Sequence, residues 1–179
     1  MEEIKGINIP KLSFNPQKLG DFLAHEGPLL SLFADTDNPD IYYFYKWTDS
    51  DKQANRWLVF QVNLSALKKF LFQEISLKGI LMQNPFVFLV DLDNDINEKQ
   101  IFIAATNDLP KSYLPSEKSF FKEDTFTEFA MEFKKTISQN KMYDLLNQIR
   151  QEISVVREQQ NNTTTILNTL LKKRIRPSI

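Results

Sequence analysis

The chain has 179 residues, of which 42% are hydrophobic and 12% aromatic, so it holds enough apolar material for one ordinary domain with an appended segment. Its 22 basic and 23 acidic residues almost cancel, which argues against a general polyanion-binding surface. The absence of cysteine excludes disulfides, thiolate metal sites and a cysteine nucleophile.

Residues 1–16 are predicted to form an N-terminal arm, because Pro10 and Pro16 interrupt any regular element there. The first residues are acidic and lack the apolar stretch of a signal peptide. The longest apolar runs, such as Phe86 to Val90, are far too short to span a bilayer. We therefore expect a cytoplasmic protein that does not enter a membrane.

Residues 17–121 are predicted to form an α+β domain built on a mainly antiparallel sheet. Its first half contains short aromatic and β-branched runs separated by turn signals, which is typical of a meander of strands. The predicted strands are Phe22 to His25, Leu29 to Ala34, Ile41 to Trp47, and Arg56 to Val62.

The second half of this domain begins with a change from strand to helix periodicity. Leucines at helical spacing predict a helix over 65–74 with Ser65 as its cap, and a short helix from Ser76 to Met82 follows. The continuous apolar run from Phe86 to Val90 predicts a buried strand, with Lys99 to Ala105 as its hairpin partner. Residues 107–121, which contain two prolines, are predicted to be an extended linker.

The strand from Ile41 to Trp47 is unusually rich in aromatic residues. Because alternate side chains point to opposite faces, Tyr43, Tyr45 and Trp47 share one face. One face of the strand must join the core, and the other predicts an exposed aromatic surface of the kind that binds proteins. We take Tyr43, Tyr45 and Trp47 as the candidate partner-binding residues.

Residues 122–179 are predicted to form a long helical region. Thr125 and Glu128 have the spacing of a capping box. From Met142 onward, apolar residues alternate at intervals of four and three over about four heptads, which is typical of a coiled coil. The candidate oligomerisation residues are Met142, Leu146, Ile149, Ile153, Val156, Leu167 and Leu170. The same residues also fit a helix packed on its own domain, or two antiparallel helices with a break in the polar stretch 159–165.

A basic cluster ends the helical region. At the C-terminus of a helix these side chains complement the helix dipole, and an oligomer would present several copies of them to a nucleic acid. Nucleic-acid contact is therefore an alternative that the sequence does not favour, since no helix-turn-helix pattern accompanies the cluster. Its residues are Lys172, Lys173, Arg174 and Arg176.

Five short motifs follow one another along the chain: Gly27-Pro28, Lys46-Trp47, Arg56-Trp57-Leu58, Ile75-Ser76-Leu77 and Leu109-Pro110-Lys111-Ser112-Tyr113-Leu114-Pro115. Their order resembles a widespread bacterial family of domains of unknown function. The resemblance runs from about Gly20 to Phe121, a little over half of the chain. It implies a reusable prokaryotic module of the kind found in multi-gene systems, phage-defence operons among them, and it implies no activity or site residues.

The strongest catalytic candidate is the acidic turn that contains Asp91, Asp93 and Asp95. Its spacing matches the opening of a calcium loop, but Ile96 stands where that loop needs glycine and Phe102 where it needs glutamate. The single histidine, His25, adjoins a Gly-Pro turn and does not make a triad. Glycine-rich phosphate-binding motifs do not occur, so we expect no catalytic residues, no metal and no cofactor.

The sequence predicts a non-enzymatic assembly subunit. Its helical region would form a homo-oligomer, and its sheet domain would bind another protein. The first alternative is a sensor that binds a nucleic acid, or a small molecule held between the helix 65–74 and the sheet. The second is a metal-dependent hydrolase or nuclease that uses the turn from Asp91 to Asp95.

Overall fold

The computed structural model describes residues 1–38, 41–93 and 97–139. The chain divides into two compact units, Met1–Lys134 and Lys135–Ile179. All of the candidate oligomerisation residues, from Met142 to Leu170, lie outside the described residues. The basic cluster from Lys172 to Arg176 lies outside them as well, so the coiled coil remains a prediction.

A seven-stranded antiparallel sheet forms the centre of the first unit, with the strand order β1-β7-β6-β5-β4-β3-β2. From β2 to β7, strands that are consecutive along the chain lie side by side. The α+β fold with a mainly antiparallel sheet is therefore confirmed. The strands are β1 (Gly6–Ile9), β2 (Pro16–Ala24), β3 (Pro28–Asp35), β4 (Ile41–Ser50), β5 (Asn55–Asn63), β6 (Phe86–Leu92) and β7 (Glu98–Ala105).

Three hairpins turn at one end of the sheet, which we call the hairpin end. They connect β2 to β3, β4 to β5 and β6 to β7, and the antiparallel pairing brings their turns to the same side. A hydrogen bond joins two of these turns, since the Lys99 ammonium donates to the Gln53 carbonyl at 3.1 Å. Residues that are distant in sequence therefore meet at the hairpin end.

Two short helices connect β5 to β6. The first, α1 (Leu64–Leu71), is capped by Asn63, whose side chain accepts a hydrogen bond from the Ala66 amide at 2.8 Å. The predicted cap at Ser65 is therefore wrong, because the helix begins one residue before it. The second, α2 (Leu77–Leu81), is capped by Ser76. Within the described ranges, no helix is long and apolar enough to cross a membrane.

Aromatic side chains fill the core between the sheet and the helices. Phe44 of β4 packs edge-to-face against Phe22 of β2 and Phe70 of α1, and all three are fully buried. Phe121 joins them by packing edge-to-face against Phe70. These packed rings form the core between α1 and the sheet.

The prediction of an extended linker over residues 107–121 is wrong, because this segment packs on the domain. A 3-10 helix (Thr106–Asp108) opens this segment, and Leu109, Tyr113 and Phe121 are buried. The prolines prevent regular structure but do not prevent packing, because apolar side chains between them still reach the core.

A further helix begins at Glu128 and belongs to the first unit up to Lys134. Its cap is Thr127, whose hydroxyl accepts a hydrogen bond from the Ala130 amide at 3.3 Å, so the capping box predicted at Thr125 is wrong. The Thr127 amide also donates to the Phe22 carbonyl at 3.0 Å, and its hydroxyl donates to the Asp21 carbonyl. The helix start is thereby hydrogen-bonded to the backbone of the edge strand β2.

The opposite face of the sheet has a smaller core of its own. The segment between β1 and β2 crosses this face, and Phe14 stacks on Tyr43 with ring centroids 3.6 Å apart. Leu12 and Phe14 are both buried against the sheet. They cover only part of the face, and the remainder towards the hairpin end is open.

Candidate binding groove

An open groove with a volume of about 680 Å³ lies on the sheet face that the helices do not cover. This volume falls in the range of ligand-binding clefts. The groove begins beside Pro16 and Lys18 of β2 and reaches the hairpin end, where residues of all three hairpins contribute to its walls. Its lining residues are Pro16, Lys18, His25, Glu26, Gly27, Pro28, Leu29, Ser31, Phe33, Tyr45, Trp47, Asn55, Trp57, Val90, Leu92, Asp93 and Glu98.

Four aromatic side chains form much of the groove. Trp47 of β4 and Trp57 of β5 are directly paired across the two strands, and they are the two tryptophans of the chain. The Tyr45 ring lies against Phe33 with centroids 4.0 Å apart. Trp47 is 36% exposed, which leaves a large apolar surface in contact with water at the hairpin end.

The Tyr45 hydroxyl is the unusual polar group of the groove. The residue is only 5% exposed, and no described protein atom forms a hydrogen bond with its hydroxyl. A buried polar atom without a partner costs free energy, so such atoms are rare in folded proteins. Burial, together with the nearby Glu98 carboxylate, raises the pKa of Tyr45 well above its usual range. The hydroxyl therefore stays protonated and can both donate and accept a hydrogen bond to a ligand.

The charged residues around the groove are mainly acidic. Glu26, Asp93 and Glu98 supply three carboxylates from two of the hairpin turns. The basic side chain of Lys18 forms an ion pair with Asp21 at 2.7 Å, which offsets its charge. His25, for which no catalytic role is predicted, lines the same end of the groove. The hairpin end of the groove therefore combines a negative electrostatic potential with an aromatic surface.

The structure places the three candidate partner-binding residues on one face, as their alternation predicts, but it does not leave that face open along its length. Tyr43 is 8% exposed and lies under Phe14, and Tyr45 is buried although it lines the groove. The expectation of an exposed surface therefore fails at Tyr43 and Tyr45, because the segment between β1 and β2 covers this part of the strand. Trp47 is the member of the set that is accessible.

A buried polar network on the other face was missed by sequence reasoning. The Arg56 guanidinium forms two hydrogen bonds with the Asp91 carboxylate, at 2.6 and 2.7 Å, and both side chains are buried. It also donates to the Glu2 carbonyl at 2.9 Å and to the Tyr113 hydroxyl at 3.4 Å. Burial disfavours the charge on Arg56, but the hydrogen bonds to Asp91 and Tyr113 outweigh it and raise the pKa of Arg56.

This network brings together residues from two of the short sequence motifs. Arg56 opens the Arg-Trp-Leu motif and Tyr113 lies in the Leu-Pro-Lys-Ser-Tyr-Leu-Pro motif, 57 residues further along the chain. Tyr113 in turn donates to the Asp49 carboxylate at 2.9 Å. Their positions in two motifs are the signal in the sequence that marks Arg56 and Tyr113. The sequence does not show that these two side chains meet in the fold.

The acidic turn does not gather its carboxylates at one point. Asp91 is held by Arg56, whereas Asp93 accepts a hydrogen bond from the Asn97 amide at 2.9 Å. Asp95 lies outside the described residues. Among the residues that the structure describes, no group of three or more acidic or histidine side chains is arranged to hold a metal ion.

Comparison of the chain with protein families, curated proteins and solved structures gives no match. The groove is therefore the feature of the molecule from which a function can be inferred.

Proposed function

We propose that this chain is a non-enzymatic assembly subunit whose sheet domain binds another protein through the groove. The observation that carries the proposal is the combination of exposed Trp47 with the unpartnered hydroxyl of Tyr45 in one cleft. Tryptophan and tyrosine are enriched among the residues that dominate protein interfaces, since they bury large areas at low entropic cost. A bound partner would cover the Trp47 ring and hydrogen-bond the Tyr45 hydroxyl.

The shape of the groove favours an extended segment of a partner over a compact ligand. Its lining includes Pro16 at the start of β2 and His25 just after the end of this nine-residue strand. At about 3.3 Å per residue, a strand of this length extends over about 25–30 Å. A cleft this long and open matches a peptide in extended conformation.

The two tryptophans give a direct readout of groove occupancy. The full-length chain is used to select binders from a displayed library of random linear peptides, and intrinsic fluorescence is recorded as each selected peptide is added. We expect saturable changes in emission, because Trp47 and Trp57 both line the groove. The variant Trp47→Ala should lose at least tenfold in affinity, since truncating an aromatic anchor costs about 2 kcal/mol or more.

A matched control keeps this test specific. Phe120 is an exposed aromatic residue that does not line the groove, so Phe120→Ala should leave peptide binding unchanged. A selection that yields no peptide would refute the proposed function. So would peptides that bind Trp47→Ala and the unaltered chain equally well, provided both melt at similar temperatures.

The second half of the proposal is self-association through residues 142–170. Here the support is the heptad spacing, and the substitution Ile149→Asp would place a charge in the predicted seam. Light scattering on the full-length chain should give an oligomer, and the variant a monomer. A substitution suits this test better than removal of everything after residue 119, because Phe129 and Phe133 pack against Phe22 within the first unit.

The cellular setting follows from the family resemblance of residues 20–121. We propose a cytoplasmic module of a prokaryotic multi-gene system, with phage-defence systems as the example to test first. Binding of a nucleic acid by the basic cluster from Lys172 to Arg176 remains the alternative. It predicts affinity that falls steeply with salt and does not depend on Trp47.

A further inference from the structure

We propose that the groove recognises an arginine side chain carried by an extended segment of a partner protein. This inference rests on the proposed function and names the chemistry that the groove would select. Three independent features of the hairpin end support it: aromatic surfaces, an excess of carboxylates and a buried hydroxyl without a partner.

The aromatic surfaces suit a flat cation. Trp47 and Trp57 lie next to each other on paired strands, with Tyr45 and Phe33 in contact beside them. A guanidinium stacks on aromatic rings and is more weakly hydrated than an ammonium ion, so it loses less on leaving water. Arginine therefore fits this floor better than lysine.

The carboxylates supply charge complementarity. Glu26 and Glu98 have no ion-pair partner within residues 1–38, 41–93 and 97–139, whereas Lys18 is held by Asp21. A cation in the groove would be attracted by these groups, and because both carboxylates are exposed the attraction would weaken as salt is added. An anionic or strongly acidic segment would be repelled by the same groups.

The Tyr45 hydroxyl supplies a directional contact. Tyr45 lines the groove, and its hydroxyl oxygen is buried and has no described partner. A guanidinium N–H that reaches this oxygen would find a lone pair able to accept a hydrogen bond. The raised pKa of Tyr45 keeps the oxygen protonated near neutral pH, so it is an acceptor without a charge of its own. An arginine in the groove would satisfy this otherwise unpaired atom.

The test compares arginine with citrulline, its uncharged isostere. Peptides selected on the full-length chain are synthesised with each arginine replaced by citrulline, and binding is followed by tryptophan fluorescence at low and high salt. We expect arginine to be enriched at one position and its replacement to weaken binding about tenfold or more, since cation–π and charge terms act together there. Added salt should reduce the difference.

Two groove variants locate the effect. In Glu98→Gln the preference for arginine over citrulline should shrink by at least threefold, and in Tyr45→Phe it should also shrink, because each removes one partner of the guanidinium. Glu117→Gln changes an exposed carboxylate that does not line the groove, and it should leave the preference unchanged.

The outcomes separate the two proposals. Peptides that bind in a Trp47-dependent manner but carry no arginine, or that tolerate citrulline without loss, would overturn the arginine inference and leave the proposed function standing. A preference for arginine that Glu98→Gln and Tyr45→Phe both leave intact would also overturn it. A selection without any groove-dependent peptide would overturn both.

Discussion

The ring of Phe129 packs directly on the backbone of Gly20. A Cβ atom at Gly20 would lie 2.6 Å from the nearest ring atoms, which is closer than side chains approach one another in folded proteins. Phe129 also contacts Phe22 of the same strand, at 5.9 Å between ring centroids. The helix that begins at Glu128 is therefore fitted to the edge strand β2, and the first compact unit extends to Lys134.

Gly20→Ala should destabilise the protein because the added methyl group overlaps the Phe129 ring. Overpacking of this kind costs about 1–3 kcal/mol, to be measured by urea unfolding. In a Phe129→Ala background the same substitution should cost much less, since the overlapping ring is gone. Equal costs in the two backgrounds would show that Gly20 is required for another reason, and a double-mutant cycle makes the comparison.

The hydroxyls of Tyr45 and Tyr113 should respond oppositely to removal. Tyr45→Phe deletes a buried hydroxyl without a described partner, so stability should rise or stay within about 1 kcal/mol. Tyr113→Phe deletes a hydroxyl that donates to Asp49 and accepts from Arg56, and it should cost about 1–3 kcal/mol. Chemical denaturation of the two variants is the measurement. A larger loss for Tyr45→Phe would mean that its hydroxyl has a partner in solution.

The ion pair between Arg56 and Asp91 should be costly to break. Arg56→Met leaves the Asp91 carboxylate buried without its partner, and the expected loss is about 3–5 kcal/mol. The control is Glu117→Gln, which breaks the ion pair between the exposed Glu117 carboxylate and Lys78. This substitution should lower the free energy of unfolding by at most about 1 kcal/mol. Unfolding midpoints in urea would measure both. Similar small losses would mean that the packing of Arg56, and not its charge, holds the network.

Asp35 should contribute to stability in a pH-dependent way. A hydrogen bond from the Asn38 side chain, joined by backbone amides of Asp37 and Asn15, lowers the pKa of Asp35 below its ordinary value of 3.8. A lowered pKa in the folded state means that ionised Asp35 stabilises the fold above that value. This contribution is lost as the pH falls through the lower, folded-state pKa.

The variant Asp35→Asn tests that contribution. At neutral pH it should melt at a lower temperature than the unaltered chain, because its amide cannot accept from Asn38 as a carboxylate does. The difference should narrow as the pH is lowered below 3.8, where the carboxylate is progressively protonated. Melting temperatures of both proteins across the acid range provide the measurement. A constant difference at all pH values would contradict the assignment.

Local patterns in the sequence were sufficient for most of the elements. Alternation and turn signals predicted six of the seven strands of the sheet, with β2 recognised only in its last residues. The strand β1 (Gly6–Ile9) was not predicted, because its four residues are mostly exposed and its pairing with β7 is a long-range contact. The two helix caps predicted at Ser65 and Thr125 were each displaced by two residues, since several neighbouring polar residues can serve as caps.

The sequence by itself determined the period of each element, and hence that Tyr43, Tyr45 and Trp47 share a face of β4. Only the tertiary structure decided which of them water can reach, because the segment holding Leu12 and Phe14 crosses that face and covers Tyr43. The groove likewise combines walls from three separate hairpins. Periodicity is a local property that adjacent residues fix, whereas burial depends on which distant segment packs on top.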